Sequence, residues 1–184
     1  MAARDEPVVI VEYDPDWPEE FRRWAVELRR RLGGIALRID HVGSTAVPGL
    51  PAKPVIDLQL SVTALDPPEP FLVPLSHGGW RFHPDNPDRS KRFFQGPAEE
   101  RRMHLHVRRA GSVDEQLTLL FRDYLRSHPV AGVAYALEKR RLAALFHDER
   151  ERYVDGKGPT VWEILREADA WAQATGWSPG PSDA

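Results

Sequence analysis

Cysteine is absent from the 184 residues, which excludes disulfides, thiol nucleophiles and cysteine-ligated metals and suits a reducing compartment. No apolar run approaches the ~20 residues needed to span a bilayer. The opening "MAARDEPVV" lacks the apolar stretch of a secretory signal. The expectation is a cytoplasmic protein with no membrane partner. An excess of one charge is also missing: the net charge of −3 argues against a whole-molecule polyanion binder. What the chain does have is an ordinary globular composition, 41% apolar and 29% charged, at a length that suits one domain able to bury a core unaided.

The charge is unevenly spread. Residues 80–109 carry a net of +4 between flanks of −4 (1–79) and −3 (110–184). A solvated basic hairpin would look like this, and so would a sheet surface that faces an anion. Nucleic acid is not expected, because the island is small and the six tryptophans fall at helix-core or helix-end positions, which leaves no stacking platform.

Periodicity orders the elements. "VVIVEY" (Val8–Tyr13) reads as an edge strand. "DPDWPEEF" then has helix-start chemistry: aspartates to cap, proline in the first turn, and Glu19 and Glu20 at the positive end. Trp17, Phe21, Trp24, Leu28 and Leu32 recur at helical spacing until Gly33-Gly34. "IALRIDHV" (35–42) and "PVIDLQLSV" (54–62) alternate as strands. In the second, Ile56, Leu58, Leu60 and Val62 face one way and Val55, Asp57, Gln59 and Ser61 the other. A short helix within 67–77, two short strands at 80–84 and 91–96, and a strand over 101–109 follow. Beyond Gly111-Ser112 the period becomes helical. Val113, Leu117, Leu120, Phe121 and Tyr124 form one stripe, "HPVAGVAYALEKRRLAALF" a second helix, and 157–171 a third with Val161, Leu165 and Ala168 on one face. The predicted class is α+β: a mixed sheet with one polar face, and C-terminal helices stacked behind it. The expected organisation is a disordered 1–6, a single domain over 7–175 (sheet-rich to 110, helical from 111), and a disordered tail, 176–184.

The polar face gathers chemistry. Asp57 and Gln59, His104 and His106, and Arg81 and His83 stand at i, i+2 spacing. A sheet face open to water usually carries Thr, Lys, Glu and Ser, so paired imidazoles point elsewhere. Upstream, "HVGSTAVPGLPAKPVIDL" (41–58) holds a small-residue turn. Gly43, Ser44 and Thr45 can aim N–H groups and hydroxyls at an anion, a short helix begun at Ser44 would add its dipole, Lys53 adds charge, and the prolines stiffen the loop. An aspartate on the following strand can hold Mg²⁺ against phosphate oxygens. Arg81 and Lys91, with Arg92, Arg102 and Arg108, can grip phosphate. His104 and His106 can ligate metal or transfer protons at neutral pH. His41 serves equally well as a hydrogen-bonding shaper of the turn. "FRDYLR" (121–126) reads as structural, with Arg122 and Asp123 available to sheet residues.

"WP…F", "HVGSTAVPGLPAKPVIDL", "MHLHV", "FRDYLR" and "Y…K" together resemble the GrpB family, over roughly Val8 to Ala172. The resemblance implies a nucleotidyltransferase-like fold. In that superfamily a Gly-Ser turn binds nucleotide phosphates, and two acids one residue apart on the next strand, with a third from a later strand, hold divalent metal. It also implies relatives fused to dephospho-CoA kinase. Gly43 and Ser44 match the turn and Asp57 the first acid. Gln59 stands where the second acid belongs, and His104 and His106 occupy the strand of the third. One aspartate with two imidazoles suits a single softer ion, Mn²⁺ or Zn²⁺, better than a Mg²⁺ pair.

The assigned roles are therefore Asp57, His104 and His106 as catalytic and metal-ligating, and Gly43, Ser44, Thr45, Lys53, Arg81 and Lys91 as phosphate- or nucleotide-binding. The implied cofactors are a divalent metal (Mg, Mn or Zn) and a nucleoside triphosphate, and the partner is a small phosphate-containing ligand. Three functions compete: metal-assisted nucleotidyl or phosphoryl transfer to a small substrate, a catalytically degenerate nucleotide- or phosphate-binding module linked to coenzyme A metabolism, and an interaction protein using its C-terminal helices, which the polar groups gathered on one face disfavour.

Overall fold

The computed structural model describes residues 7–98 and 100–184, so the expectation for 1–6 lies outside the described residues. Helix α1 spans Trp17–Leu32. Pro18 sits in its first turn beside Glu19 and Glu20, and Arg29, Arg30 and Arg31 occupy the last, so both ends match the macrodipole. Gly33, at φ +51, ends it. Strands β1 (Arg38–Val42), β2 (Ile56–Val62), β3 (Arg81–Phe82), β4 (Lys91–Gln95) and β5 (Met103–Arg109) form one sheet in the order β1-β2-β5-β4-β3. The central β2–β5 pair is parallel and the other pairs are antiparallel. Helix α2 (Glu69–His77) lies in the crossover between β2 and β5, and α3 (Val113–Ser127), α4 (Pro129–Leu145), α5 (Arg150–Gly156) and α6 (Gly158–Thr175) follow β5. This is the predicted α+β mixed sheet.

Ile56, Leu58, Leu60 and Val62 bury completely, with Leu105, Val107 and Phe94, against Trp17, Phe21, Leu28, Phe71 and Leu75. Each such side chain contributes ~1.5–3 kcal/mol on leaving water. The apolar face is thus covered by α1 and α2. The C-terminal helices are present but lie elsewhere. α3 crosses the polar face, where the Glu115 carbonyl accepts from Gln59 Nε2 at 3.4 Å and its carboxylate from Ser61 Oγ. A second core of Val47, Leu50, Leu120, Tyr124, Leu125, Tyr135, Ile164 and Ala168 joins the loop after β1 to α3, α4 and α6.

Four expectations change accordingly. Val8–Tyr13 is not a strand and makes one bridge, Val11 to Ala52. The buried face of α3 carries Glu115, Leu119, Leu120, Arg122, Tyr124 and Leu125, while Val113 is 72% exposed; a helix that packs on a polar sheet face buries polar partners, which apolar periodicity does not register. In α6 Ile164, not Leu165, is buried, and the short α5 was not expected. Finally, 176–184 is not a detached tail. Ile39 N donates to Ser182 Oγ at 2.9 Å, His41 N to Asp183 Oδ2 at 2.9 Å, and Arg38 Nη1 to the Gly180 carbonyl at 2.8 Å. β1 is an edge strand with unpaired N–H groups, and the serine and aspartate of the tail supply the acceptors.

Candidate functional site

The site grows from two consequences of strand geometry. First, β2 and β5 run parallel with Asp57 beside His104 and Gln59 beside His106, so these side chains share a face. Asp57 Oδ1 lies 3.2 Å from His104 Nδ1 and 3.3 Å from His106 Nε2. Ligand atoms from the three residues all fall within 4.8 Å of one another. Second, β1 pairs with β2 so that Val42 stands opposite Asp57, and the next residue turns the chain. Gly43 adopts φ +72, ψ −171, a region almost restricted to glycine, and a Cβ there would lie 2.7 Å from Asp57 Oδ2. The backbone of the turn therefore rests directly against the carboxylate, and Ser44–Ala46 continues as one 3₁₀ turn.

Burial opposes ionisation of Asp57, but hydrogen bonds from His104 and His106 outweigh it and hold the carboxyl well below the usual range. Burial also pushes the His106 imidazole down, against the pull of the Asp57 carboxylate, which keeps a neutral ring with a lone pair to offer. Phe93 closes one side, its ring centroid 5.2 Å from that of His104 and 5.5 Å from that of His106. Beyond Phe93 opens a cleft of about 1080 Å³, lined among others by Arg81, His83, Gln95, Arg150 and Asp155.

The remaining predicted residues divide. Ser44 belongs to the site: its Oγ accepts from Lys139 Nζ at 2.9 Å and is hydrogen-bonded to Tyr135. Lys53 borders it, 5.4 Å from the Tyr153 ring and close enough to feel the Asp57 charge. Thr45 does not face an anion. It is 1% exposed, donates to the Val55 carbonyl at 3.3 Å and lies 3.0 Å from His41 Nε2. His41 is a shaper of the turn, stacked on Phe21, and burial, then Arg126, pushes its pKa down to about 3. Arg81 bonds Gln95 on the far wall of the cleft. Lys91 pairs with Asp88 at 3.1 Å, stands opposite Arg108 and lies 6.0 Å from the Phe93 ring, near enough for its charge to act on His106. Gln59, in the place of a second acid, is fully buried under α3.

Residue patterning missed Lys139, Lys157, Tyr135 and Tyr153. Lys139 is 2% exposed; besides Ser44 it donates to the Pro51 carbonyl and lies 4.7 Å from the Tyr135 ring. Burial, then the charge of Lys157, pushes its pKa down to about 7, and burial, then Arg150 and Lys157, brings Lys53 to about 8. The available signal was a lysine four residues after a tyrosine, at the spacing that puts both on one face of the helix. These depressed lysines make a pH prediction. The unfolded chain binds more protons than the native one between about 8 and the ordinary lysine value, so stability rises with pH there. Urea midpoints should therefore climb from pH 8 to pH 9.5, at up to ~1.4 kcal/mol per pH unit for each proton, and Lys139→Met should flatten the climb.

The arrangement defines a class before it defines a family: an α+β domain whose mixed sheet carries one carboxylate–imidazole cluster against a Gly-Ser turn with lysines behind it. The chain belongs to the GrpB family, whose model, described as GrpB protein, matches residues 7–167. It is 39% identical over 170 residues to a UPF0157 protein of Pseudomonas aeruginosa, covering 90% of this chain and 69% of that one. It is 32% identical over 199 residues to a dephospho-CoA kinase of Mycobacterium leprae, covering 93% of this chain but only 48% of the kinase. The crystal structure of GrpB from Enterococcus faecalis is similar with a TM-score of 0.80 at 28% identity, covering 89% of this chain and 99% of that one. The Cid1 poly(U) polymerase shows a fainter likeness, TM-score 0.49 at 16% identity over 70% of this chain and 42% of that one, too slight to carry an inference. Among the described residues no helix is long and apolar enough to cross a membrane.

Proposed function

We propose that the chain binds a nucleotide or related phosphate ester against the Gly43–Ser44 turn and carries out phosphoryl or nucleotidyl transfer assisted by a single divalent ion. The observation that carries this reading is the meeting of Asp57, His104 and His106 within 4.8 Å, with the turn packed on the same carboxylate. One carboxylate and two imidazoles match the donor preferences of Zn²⁺ or Mn²⁺. An ion bound there would supply Lewis-acid polarisation of a phosphoryl oxygen. The chain's own contribution is positional. The turn presents N–H groups and the Ser44 hydroxyl, Lys139 and Lys53 offset phosphate charge, and Phe93 limits water on one side.

Gln59 favours a second reading, a binding module without turnover, because it is neutral, fully buried and engaged with α3, so no second metal-holding charge stands beside Asp57. The relatives that are dephospho-CoA kinases make dephospho-CoA a ligand to test under either reading.

The test is thermal unfolding with ATP, CTP or dephospho-CoA, each with Mg²⁺, Mn²⁺ or Zn²⁺, alongside an assay for product. A ligand at a hundred times its Kd stabilises the folded state by ~2.7 kcal/mol, a shift of several degrees at this chain length. Metal-dependent stabilisation with turnover, both lost in Asp57→Ala, is the expected result. Metal-independent stabilisation without turnover would replace transfer with binding alone, and no shift with any combination would end both readings.

A further inference from the structure

We propose that Ser44 is a nucleophile with Lys139 as its general base, so that transfer passes through a phosphorus ester of Ser44 rather than directly from donor to acceptor. The inference rests on the reading of the Gly43–Ser44 turn as the place where a phosphoric anhydride docks, and it adds the group that attacks.

The pair is built from distant parts of the chain. Ser44 opens the 3₁₀ turn after β1, and Lys139 belongs to α4. Lys139 Nζ lies 2.9 Å from Ser44 Oγ, within the reach that proton transfer between base and nucleophile needs. Ser44 is only half-buried, whereas Lys139 is 2% exposed, so the nucleophile is reachable and the base is shielded. The other neighbours of Nζ are the Pro51 carbonyl and the face of the Tyr135 ring, 4.7 Å away. Among the described residues no carboxylate pairs with it. Tyr135 also hydrogen-bonds Ser44, and burial pushes its phenol up to about 12, so it is a neutral group with an O–H to give.

A lysine confined in this way is costly while charged. Burial, then the charges of Lys157 and Arg140, bring its pKa to about 7, so the free amine is available near neutral pH. A free amine has a lone pair that needs a donor. The Pro51 carbonyl can only accept, and Tyr135 turns its ring toward Nζ, so the donor is the Ser44 hydroxyl. That is a base placed to take the proton of the serine. The rest of the site leaves this role open. Asp57, His104 and His106 are the ligands of the ion, and His41 is engaged with Thr45. Gln59 is neutral, so no second carboxylate holds an ion at the attacking oxygen.

The step balances within the chain and its two substrates. The Ser44 proton passes to Lys139 Nζ, the Oγ–P bond forms, and the P–O bond to the leaving phosphate or pyrophosphate breaks with its electron pair. An acceptor hydroxyl then attacks the same phosphorus and loses its proton to water. The Oγ–P bond breaks, and Lys139 returns the first proton to Oγ.

The experiment treats the full chain, in EDTA, with diisopropyl fluorophosphate, a phosphorus electrophile that loses fluoride to an activated serine, and reads the adduct by intact mass and peptide mapping. One adduct on Ser44 is expected, its rate climbing with pH until the Lys139 amine is free, near pH 7. Ser44→Ala should abolish it. Lys139→Met should slow it by about 10²–10⁴-fold, the usual worth of a general base. Lys139→Arg should slow it as much, because a guanidinium keeps the charge but has no lone pair; a lysine that only balances phosphate charge would be replaced by arginine without loss. The adduct and its pH profile in the unaltered chain need no variant to fold. In a second measurement, [α-³²P]ATP or [γ-³²P]ATP with Mn²⁺, quenched in acid, should leave label on Ser44. No adduct on Ser44, a rate flat with pH, or full reactivity in either Lys139 variant would overturn the pair. An adduct with the fluorophosphate but no ³²P on the protein would uphold the pair and count against the metal-assisted nucleotide reading. Product from nucleotide with no adduct on Ser44 would keep that reading and remove the pair.

Discussion

Gly43→Ala is expected to lower the melting temperature by roughly 5–10 °C and to abolish any metal-dependent response to nucleotide. Two independent costs fall on this position. The backbone sits at φ +72, ψ −171, where a non-glycine residue pays ~1–3 kcal/mol. The added methyl would also stand 2.7 Å from Asp57 Oδ2, a contact relieved only by moving either the turn or the carboxylate. At this chain length each kcal/mol is worth ~2–4 °C. Gly111→Ala separates the two costs, because Gly111 has a similar φ of +71 but nothing within 4 Å of the Cβ position. It should lose stability by the backbone cost alone and keep the ligand response. If Gly43→Ala retained full metal-dependent binding, the packing of turn against carboxylate would have no functional meaning, and the proposed site would lose its geometric basis.

Much of this was readable before the fold was known, and the limits of that reading are physical. Alternation in "PVIDLQLSV" oriented Asp57 correctly because a strand has only two faces, and the same rule put His104 and His106 together. Which strands were neighbours was not readable, yet the parallel β2–β5 pairing is what brings the acid to the imidazoles. Thr45 was misread because a hydroxyl in a turn has no sequence mark for the side on which it bonds; here it is spent on Val55 and His41. Lys139 and Lys157 were missed since a lysine on a helix ordinarily signals solvent, and their burial depends on how α4, α5 and α6 close on the loop after β1. The tail was misjudged from composition, when its role follows from the open edge of β1.

Arg122→Ala is expected to destabilise the chain by about 3–5 kcal/mol, a fall in melting temperature on the order of 10 °C or more. Arg122 is 3% exposed and joins three parts of the structure. It donates to Asp183 Oδ2 of the tail at 2.7 Å, to the His41 carbonyl of β1 at 3.1 Å and to Asp123 Oδ1 at 2.8 Å, with Asp40 Oδ1 at 3.7 Å. Its removal leaves Asp40, itself fully buried, with Arg38 as sole fork partner, takes the charged partner from Asp183, which keeps only His41 N, and strips the His41 carbonyl of its donor. The cost comes from stranding buried acceptors rather than from losing one attraction. Arg122→Lys should recover little, because its three N–H groups radiate from one atom, whereas the guanidinium reaches Asp123 from Nε and His41 and Asp183 from Nη1. Asp183→Asn, which keeps an acceptor for His41 N, should cost only ~1 kcal/mol. Hydrogen exchange gives the decisive readout. If the arginine ties α3 and the tail to β1, its loss should accelerate exchange at Ile39 and His41, two residues before the Gly43 turn, well before it does so in the α1-covered core. Uniform acceleration throughout, or none in β1, would show that the network does not hold the edge on which the site is built.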